Sequence, residues 1–453
     1  MSATATREVT ASCPGKVLIL GGYCVLERPN PGLVLAVDAR FRCKASLMET
    51  EGCQIWLTSP QWGSQGWSGK YQFDNGQLVP LASNSESNAY IERTVSWTLQ
   101  QLQLEGKFPP PAFGGIKLEM GGDNDFYSQL GNLALLGLPR TKQGLTKLPK
   151  QTQVRDKGAK TGLGSSAAMI SCIVSALVAL LWPGSGHEQY AHRLAQMCHA
   201  AVQGKIGSGF DVCAAFFGSM QYVRYDASPV PAQCLGVMGN AAEGSAQLQR
   251  CVKADSVWNE SVTGFHLPPG IELLCAEVED SGSETPSMSK KILEWKAANP
   301  AHRIWTGLIE SNSQASQALQ AIAQYHEADP AGYSQELNQL SQLPGSGWDS
   351  TSKFALCASA FARVRGSLRA LGGAAGVPVE PESQQLLCDA TLRVPGVMVC
   401  GVPGAGGNDA IYALALGPEA AKRVEAFWER YQPVQVCPLL LRESRNGGGV
   451  ELS

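Results

Sequence analysis

Apolar positions along the chain follow two periods, and these divide it into predicted elements. Lys16–Leu20 is a short apolar run stopped by Gly21-Gly22, which predicts a strand. Leu33–Val37 predicts a second, and alternation continues through Phe41, Cys43, Ala45 and Leu47, the pattern of a strand with one buried face. The opening of the chain is therefore β-rich. Over 89–104 the period changes, with Ile91, Val95, Leu99 and Leu102 recurring at helical spacing. Ala167–Leu181 is apolar almost throughout and predicts a buried helix. Tyr190–Val202 predicts another helix and Phe216–Tyr225 a strand. The polar, lysine-bearing stretch 141–160 reads as a solvated loop. Around Asp226–Asn240 the composition shifts to Pro, Gly and Ala, which sets the expected boundary between domains at 1–228 and 240–453. Beyond it the pattern predicts a strand at Ile271–Val278 and helices at Ser287–Ala298, Gly307–His326 and Lys353–Leu371. Short strands near Val397–Cys400 and Ala410–Leu416 and a helix at Glu419–Tyr431 follow. Helices mixed with separated strands make an α+β second half.

Composition narrows the function classes. At 453 residues the chain suits two domains of roughly 200 residues each. A hydrophobic fraction of 44% and a charged fraction of 17% are those of a folded soluble protein. The run Ala167–Trp182 is shorter than the roughly 20 residues needed to span a bilayer, so no membrane is expected. A net charge of −3 offers no attraction for nucleic acid, although it averages away any local basic pocket. The 14 cysteines include no Cys-x-x-Cys pair, which removes support for structural zinc and favours reduced, buried thiols. The first residues lack the apolar core of a signal peptide, and Glu451-Leu452-Ser453 is not the Ser-Lys-Leu peroxisomal address. The expected location is cytoplasmic, with delivery to peroxisomes by a partner left open.

Three glycine motifs carry the chemistry. Thr161-Gly162-Leu163-Gly164-Ser165-Ser166-Ala167-Ala168 leads into the buried helix. Glycines let backbone approach an anion, and the N–H groups of a helix N-terminus supply partial positive charge for phosphate. Two serine hydroxyls add donors, and either could reach a metal ion. Gly162-x-Gly164-x-x-Ala167 also fits the degenerate dinucleotide fingerprint, but that motif follows a buried strand, whereas Arg155-Asp156-Lys157-Gly158-Ala159-Lys160 precedes this one. The Gly-x-x-x-x-Gly-Lys-Ser/Thr loop is absent here. In Pro14-Gly15-Lys16, a lysine opens an apolar strand and could meet phosphate oxygens as a point charge, or simply face solvent. Gly401-Val402-Pro403-Gly404-Ala405-Gly406-Gly407-Asn408-Asp409 is either a tight turn or a backbone approach to a ligand. Asp211, in Gly207-Ser208-Gly209-Phe210-Asp211, fits a turn or helix-capping role on composition alone.

Together and in this order, the three motifs resemble the GHMP kinase superfamily, with its Pro-x-Lys strand, Gly-Leu-Gly-Ser-Ser-Ala phosphate loop and C-terminal glycine turn. Longer stretches are similar to its eukaryotic-type phosphomevalonate kinases. They are Pro14–Leu26, Gly122–Ser128, Lys160–Met169, Gln203–Val212, Gly282–Met288, Pro378–Ser383 and Pro403–Asp409. Asn408 departs from the family's usual aromatic residue, and Ser87-Asn88-Ala89-Tyr90 from its usual Asn-Pro-Phe. The resemblance implies a two-domain fold, with an N-terminal ribosomal-protein-S5-like domain and a C-terminal ferredoxin-like α/β sandwich. It implies ATP-dependent phosphorylation of (R)-5-phosphomevalonate in isoprenoid and sterol synthesis, by a monomer or homodimer. Another small-molecule kinase of the superfamily, such as mevalonate kinase, and a non-catalytic sensor on the same fold are the alternatives.

The resemblance also implies roles. Asp211 orients or deprotonates the attacking oxygen, and Lys16 screens the two phosphates. Lys160, Thr161, Gly162, Leu163, Gly164, Ser165, Ser166, Ala167 and Ala168 hold ATP, with Ser166 the ligand of Mg²⁺. Lys16, Tyr23, Ser165, Ser283, Thr285, Gly404 and Gly406 meet the substrate. Lys205, Lys290 and Arg93 are further basic candidates, each equally at home on a surface.

Overall fold

The computed structural model describes residues 7–62, 66–81, 87–108, 114–154, 159–228, 230, 241–279, 285–300 and 302–452. Strands are β1 Glu8–Leu20, β2 Gly32–Met48, β3 Gln54–Ser59, β4 Trp67–Asp74, β5 Gln77–Pro80, β6 Gly115–Gly122 and β7 Met220–Val223. Further along come β8 Ser261–Gly264, β9 Ile271–Glu279, β10 Val397–Gly401, β11 Ala410–Leu416, β12 Gln435–Pro438 and β13 Gly449–Leu452. Helices are α1 Ala89–Leu104, α2 Leu130–Leu135, α3 Lys142–Leu145, α4 Ser165–Leu181, α5 Glu188–Gln203, α6 Phe210–Phe217 and α7 Ala241–Lys253. They continue with α8 Thr285–Ala298, α9 Arg303–Ala328, α10 Pro330–Leu340, α11 Lys353–Ala375, α12 Glu382–Thr391 and α13 Gly417–Trp428.

Two sheets organise the chain. The larger has the order β13-β1-β2-β6-β3-β4-β5, with β7 paired to β2 and β8 to β7. The smaller has the order β10-β11-β9-β12. Helix α4 packs across β1 and β2, and it is buried along nearly its whole length. A helix that is apolar all round must be enclosed in this way. The second sheet has its own core of Leu274, Ala276, Ile411, Ala413, Val424 and the fully buried Trp428. Its indole Nε1 donates to Thr391 Oγ1 at 2.9 Å, which removes the cost of burying that N–H.

Several elements differ from the sequence reading. The strand expected at Lys16–Leu20 is the end of a much longer one, whose register with β2 shifts between Pro14 and Lys16. Such a bulge redirects the side chains beyond it. Here a Cβ at Gly15 would lie 2.9 Å from Phe126 Cε1 and 3.1 Å from the Leu163 carbonyl. Phe216 and Phe217 end α6 rather than open a strand. Gly218, at φ 81°, terminates that helix, and β7 begins only at Met220. The polar stretch 141–160 is not simply a solvated loop. Leu145 and Leu148 are buried with Cys437, and Lys142 Nζ lies 2.8 Å from Glu425 Oε1 on α13. β8 and β13, both beyond residue 240, pair within the larger sheet.

Candidate active site

Lys16 leaves the β1 bulge half-buried. Its backbone N–H donates to the Leu163 carbonyl at 2.9 Å, and its Nζ donates to the Gly162 carbonyl at 2.8 Å. The strand lysine and the glycine loop are therefore joined directly. Gly164 has φ 75°, in the left-handed region, and a Cβ there would sit 3.0 Å from Lys16 Cε. Glycine meets both demands. The helix behind it opens without a capping side chain, so first-turn N–H groups of α4 remain for a ligand.

Helix α6 opens in the same manner. Its N-cap is Gly209 at φ 80°, again without a side-chain cap. A Cβ on Gly209 would lie 2.8 Å from Gln196 Oε1 and 2.9 Å from Tyr225 Cε1. Asp211 stands in the first turn of α6, where the helix dipole favours a carboxylate. Its side chain is 22% exposed, and Oδ1 accepts the Val212 N–H at 3.0 Å.

Both helix N-termini face one cavity of about 770 Å³, lined by Lys16, Gly162, Gly164, Ser165, Ser166, Gly207, Ser208 and Asp211, among others. Lys160, Lys205 and Lys290 also line it, against Asp211 and Glu294 on the acidic side among the described residues, so this lining is basic within a chain of net charge −3. Burial pushes the Lys16 ammonium below its usual range, and the nearby Asp211 carboxylate opposes that shift. A second cavity of about 250 Å³ shares Lys16, Gly162, Ser208 and Phe210, and adds Tyr23, Gly404 and Gly406.

The C-terminal glycine turn closes that second cavity. Gly404 N–H donates to the Leu18 carbonyl at 3.0 Å, and a Cβ on Gly22 would lie 2.7 Å from the Gly404 oxygen. Tyr23 is 3% exposed and donates its hydroxyl proton to the Ala405 carbonyl at 2.5 Å. Its backbone lies at φ 63° and ψ −42°, and Cys24 N–H reaches back to the Gly22 carbonyl at 2.8 Å. That is the strained form of the γ-turn, unusual for an aromatic residue. Behind the turn, Gly407 N–H donates to Val379 O at 3.0 Å. The next residue, Glu380, is held by Arg365 at 2.6 Å.

The structure sorts the predicted residues. Lys16, Lys160, Gly162, Gly164, Ser165, Ser166 and Asp211 line the larger cavity, and Tyr23, Gly404 and Gly406 the smaller. Thr161, Leu163, Ala167 and Ala168 are buried behind the loop and outside the cavity lining. Thr161 Oγ1 donates to the Asp125 carbonyl, and the Leu163 carbonyl accepts from Lys16. Arg93 is exposed on α1, away from both cavities. Ser283 and the side chain of Thr285 lie outside the described residues.

Sequence reasoning missed His199, which lines the larger cavity from α5. Its Nε2 is 3.1 Å from Ser166 Oγ and 2.7 Å from Gln203 Nε2, and its Nδ1 is 3.9 Å from Asp211 Oδ2. Burial lowers its pKa; Asp211 opposes this, and Lys160 and Lys205 reinforce it. The one sequence signal was a pair of polar residues, His199 and Gln203, four apart on an amphipathic helix that also carries His192 and Gln196 at the same spacing.

Residues 150–219 match the GHMP kinases N terminal domain family. The chain is 32% identical to the peroxisomal phosphomevalonate kinase of Arabidopsis thaliana, over 97% of this chain and 95% of the plant protein. It is 32% identical to a phosphomevalonate kinase of Aspergillus fumigatus, over 94% and 91%. Among solved structures it resembles Streptococcus pneumoniae phosphomevalonate kinase in complex with phosphomevalonate and AMPPNP. The TM-score is 0.60 at 16% identity, covering 96% of this chain and 99% of that one. It also resembles L. major mevalonate kinase in complex with R-mevalonate, with a TM-score of 0.54 at 13% identity, covering 97% and 96%. The expected α+β GHMP kinase fold, here built on two sheets, is the fold of these kinases.

Proposed function

The chain belongs to the phosphomevalonate kinase family of GHMP kinases, and on that premise we propose that it transfers the γ-phosphoryl group of ATP to the phosphate of (R)-5-phosphomevalonate. A bond forms between a substrate phosphate oxygen and the γ-phosphorus. The bond from that phosphorus to the β–γ bridging oxygen breaks, and ADP leaves with diphosphomevalonate as the product. The observation that carries this reading is one basic cavity in which a strand lysine, a glycine phosphate loop and a first-turn aspartate meet.

The larger cavity takes the ATP phosphates on the α4 N-terminus, with Gly162, Gly164, Ser165 and Ser166 around them. The smaller takes the body of phosphomevalonate against Tyr23, Gly404 and Gly406. Lys16 borders both, and its charge offsets repulsion between two anions and stabilises the transition state. The attacking phosphate oxygen is already ionised near neutral pH, so Asp211 orients the acceptor more than it deprotonates it.

The donors present suit Mg²⁺, which keeps most of its waters and is held chiefly by nucleotide phosphates. Ser166 Oγ would be its protein ligand, and the ion would supply positive charge against the charge that develops in phosphoryl transfer. No helix among the described residues is long and apolar enough to cross a membrane. A cytoplasmic site of action, with peroxisomal association as the plant relative's name suggests, belongs to the same proposal, as does a monomer or homodimer.

The test is ATP-dependent conversion of phosphomevalonate, with mevalonate in parallel. Turnover of phosphomevalonate alone, reduced about 10²-fold or more by Asp211→Asn, is expected. Preferential turnover of mevalonate would overturn the substrate, and full activity of Asp211→Asn would overturn the role of that carboxylate.

A further inference from the structure

His199 is 7% exposed and lies where three helices meet: on α5, between Ser166 in the first turn of α4 and Asp211 in the first turn of α6. α4 and α6 each begin at a left-handed glycine with no capping side chain. Among the described hydrogen bonds, backbone holds one oxygen of the carboxylate, through the Val212 N–H at 3.0 Å, and leaves Asp211 Oδ2 and the Ser166 hydroxyl to side chains. The imidazole lies against both, with Nε2 3.1 Å from Ser166 Oγ and Nδ1 facing Asp211 Oδ2 across 3.9 Å.

The tautomer follows from the neighbours. The Gln203 amide nitrogen, 2.7 Å from Nε2, can only donate, so Nε2 carries the lone pair and the ring proton sits on Nδ1. Electrostatics reaches the same answer independently. A bare lone pair on Nδ1 would face the Asp211 carboxylate at 3.9 Å, whereas Nδ1–H presents its positive end. Ser166 Oγ, 3.1 Å from the same nitrogen, can share that acceptor with Gln203 in a three-centre bond, donating its O–H and leaving the oxygen lone pairs for a ligand in the cavity.

We propose that His199 is a positioning residue for phosphoryl transfer: one neutral ring holds the Ser166 hydroxyl through Nε2 and turns Nδ1–H toward the Asp211 carboxylate, 3.9 Å away, biasing where both groups sit. This rests on the preceding reading, in which Ser166 lies with the ATP phosphates and Asp211 orients the acceptor. A neutral imidazole does so without adding a charge beside Lys16 and Lys160. Gln203, one turn along α5, holds the ring in place.

Three variants separate the two contacts. His199→Asn retains an N–H near the Nδ1 position and loses Nε2. His199→Gln retains a polar atom near Nε2 and loses Nδ1. His199→Phe keeps ring volume and loses both. Steady-state kinetics should show kcat of His199→Phe lowered about 10–100-fold, with KM for ATP and for phosphomevalonate within about threefold of wild type. Asn and Gln should each recover part of the loss. In an Asp211→Asn background, His199→Gln should cost little more, because its partner is already gone. The ¹⁵N shifts of the wild-type ring should report the neutral Nδ1–H form. The proposal is overturned by an Nε2–H tautomer, by a His199→Phe kcat within about twofold of wild type, or by a loss that neither Asn nor Gln relieves. If His199→Phe does not fold, the Asn and Gln variants and the tautomer decide. A wild-type protein that fails to convert phosphomevalonate would sink the functional reading instead, and the tautomer would still decide the placement of the ring.

Discussion

At the scale of single residues, Lys16 connects burial to rate. Desolvation favours its neutral form, while phosphate oxygens favour the charged one. Free enzyme should therefore lose kcat/KM along an alkaline limb whose midpoint lies below the ordinary lysine value of about 10.5. Bound anions pull the pKa back up, so the limb in kcat should lie higher than the limb in kcat/KM. The stability sign follows from the same shift. A depressed lysine pKa means the unfolded chain binds more protons, so this residue's contribution is present above the unfolded value and lost as pH falls through the folded one. Lys16→Arg should abolish the limb, because guanidinium does not titrate, and Lys16→Met should lower kcat about 10²–10³-fold. An unchanged limb in Lys16→Arg would assign it to another group. Lys16, Asp211 and the glycine loop were legible because each carries its chemistry in a short local pattern. His199 was not, because a histidine on an amphipathic helix looks the same whether it packs or positions. Only the crossing of α4, α5 and α6 brings Ser166 and Asp211 to its two nitrogens.

At the scale of elements, the glycine turn and the segment after β1 form one joint. Tyr23 sits in a strained γ-turn and spends its only side-chain donor on the Ala405 carbonyl. Strain of this kind costs about 1–3 kcal/mol and persists only where surrounding structure enforces it. Here Gly404 N–H bonds to Leu18 O, and Tyr412 Oη donates to Ile19 O at 3.2 Å. Tyr23→Phe should keep the packing and leave a buried carbonyl without its donor, at a cost of about 1–3 kcal/mol. KM for phosphomevalonate should rise several-fold while KM for ATP holds, since Tyr23 lines only the smaller cavity. A matched rise in both would mean the joint supports the whole site. Long periodic elements were legible from the pattern: Ala89–Leu104 and Ala410–Leu416 lie where expected. β3, β4 and β6 were not, because their alternation is short and interrupted by Trp, Gly and Lys, and pairing partners distant in sequence define them. α6 was misread at its end because Phe216 and Phe217 have strand-like composition, and only Gly218 marks the stop.

At the scale of the molecule, the chain returns from the second sheet to close the first. β12 pairs with β9 in the smaller sheet, and Leu439 N–H still bonds to Cys275 O at 2.9 Å. One residue later the contacts switch: Leu440 N–H donates to Asp125 Oδ1 at 2.7 Å, and Arg442 N–H to Asp38 Oδ1 at 2.8 Å. β13 then pairs with β1, the strand that carries Lys16. This clasp ties the two sheets together on the elements that frame the site, so they should unfold together. Asp125 is the residue to test. Burial raises its pKa, the Leu440 N–H opposes that, and the neighbouring carboxylates of Asp38 and Asp123 add to it. A carboxyl raised above its unfolded value contributes most when protonated, and that contribution is lost as pH rises through the folded pKa. Asp125→Ala should therefore destabilise the protein by about 1–3 kcal/mol, by stranding the Leu440 N–H. Denaturant unfolding between about pH 4 and 8 should show the gap between wild type and variant narrowing as pH rises. A gap that widens with pH would mean Asp125 acts as a charge in an ion pair, and the clasp would then be electrostatic rather than a pair of backbone-to-carboxyl hydrogen bonds.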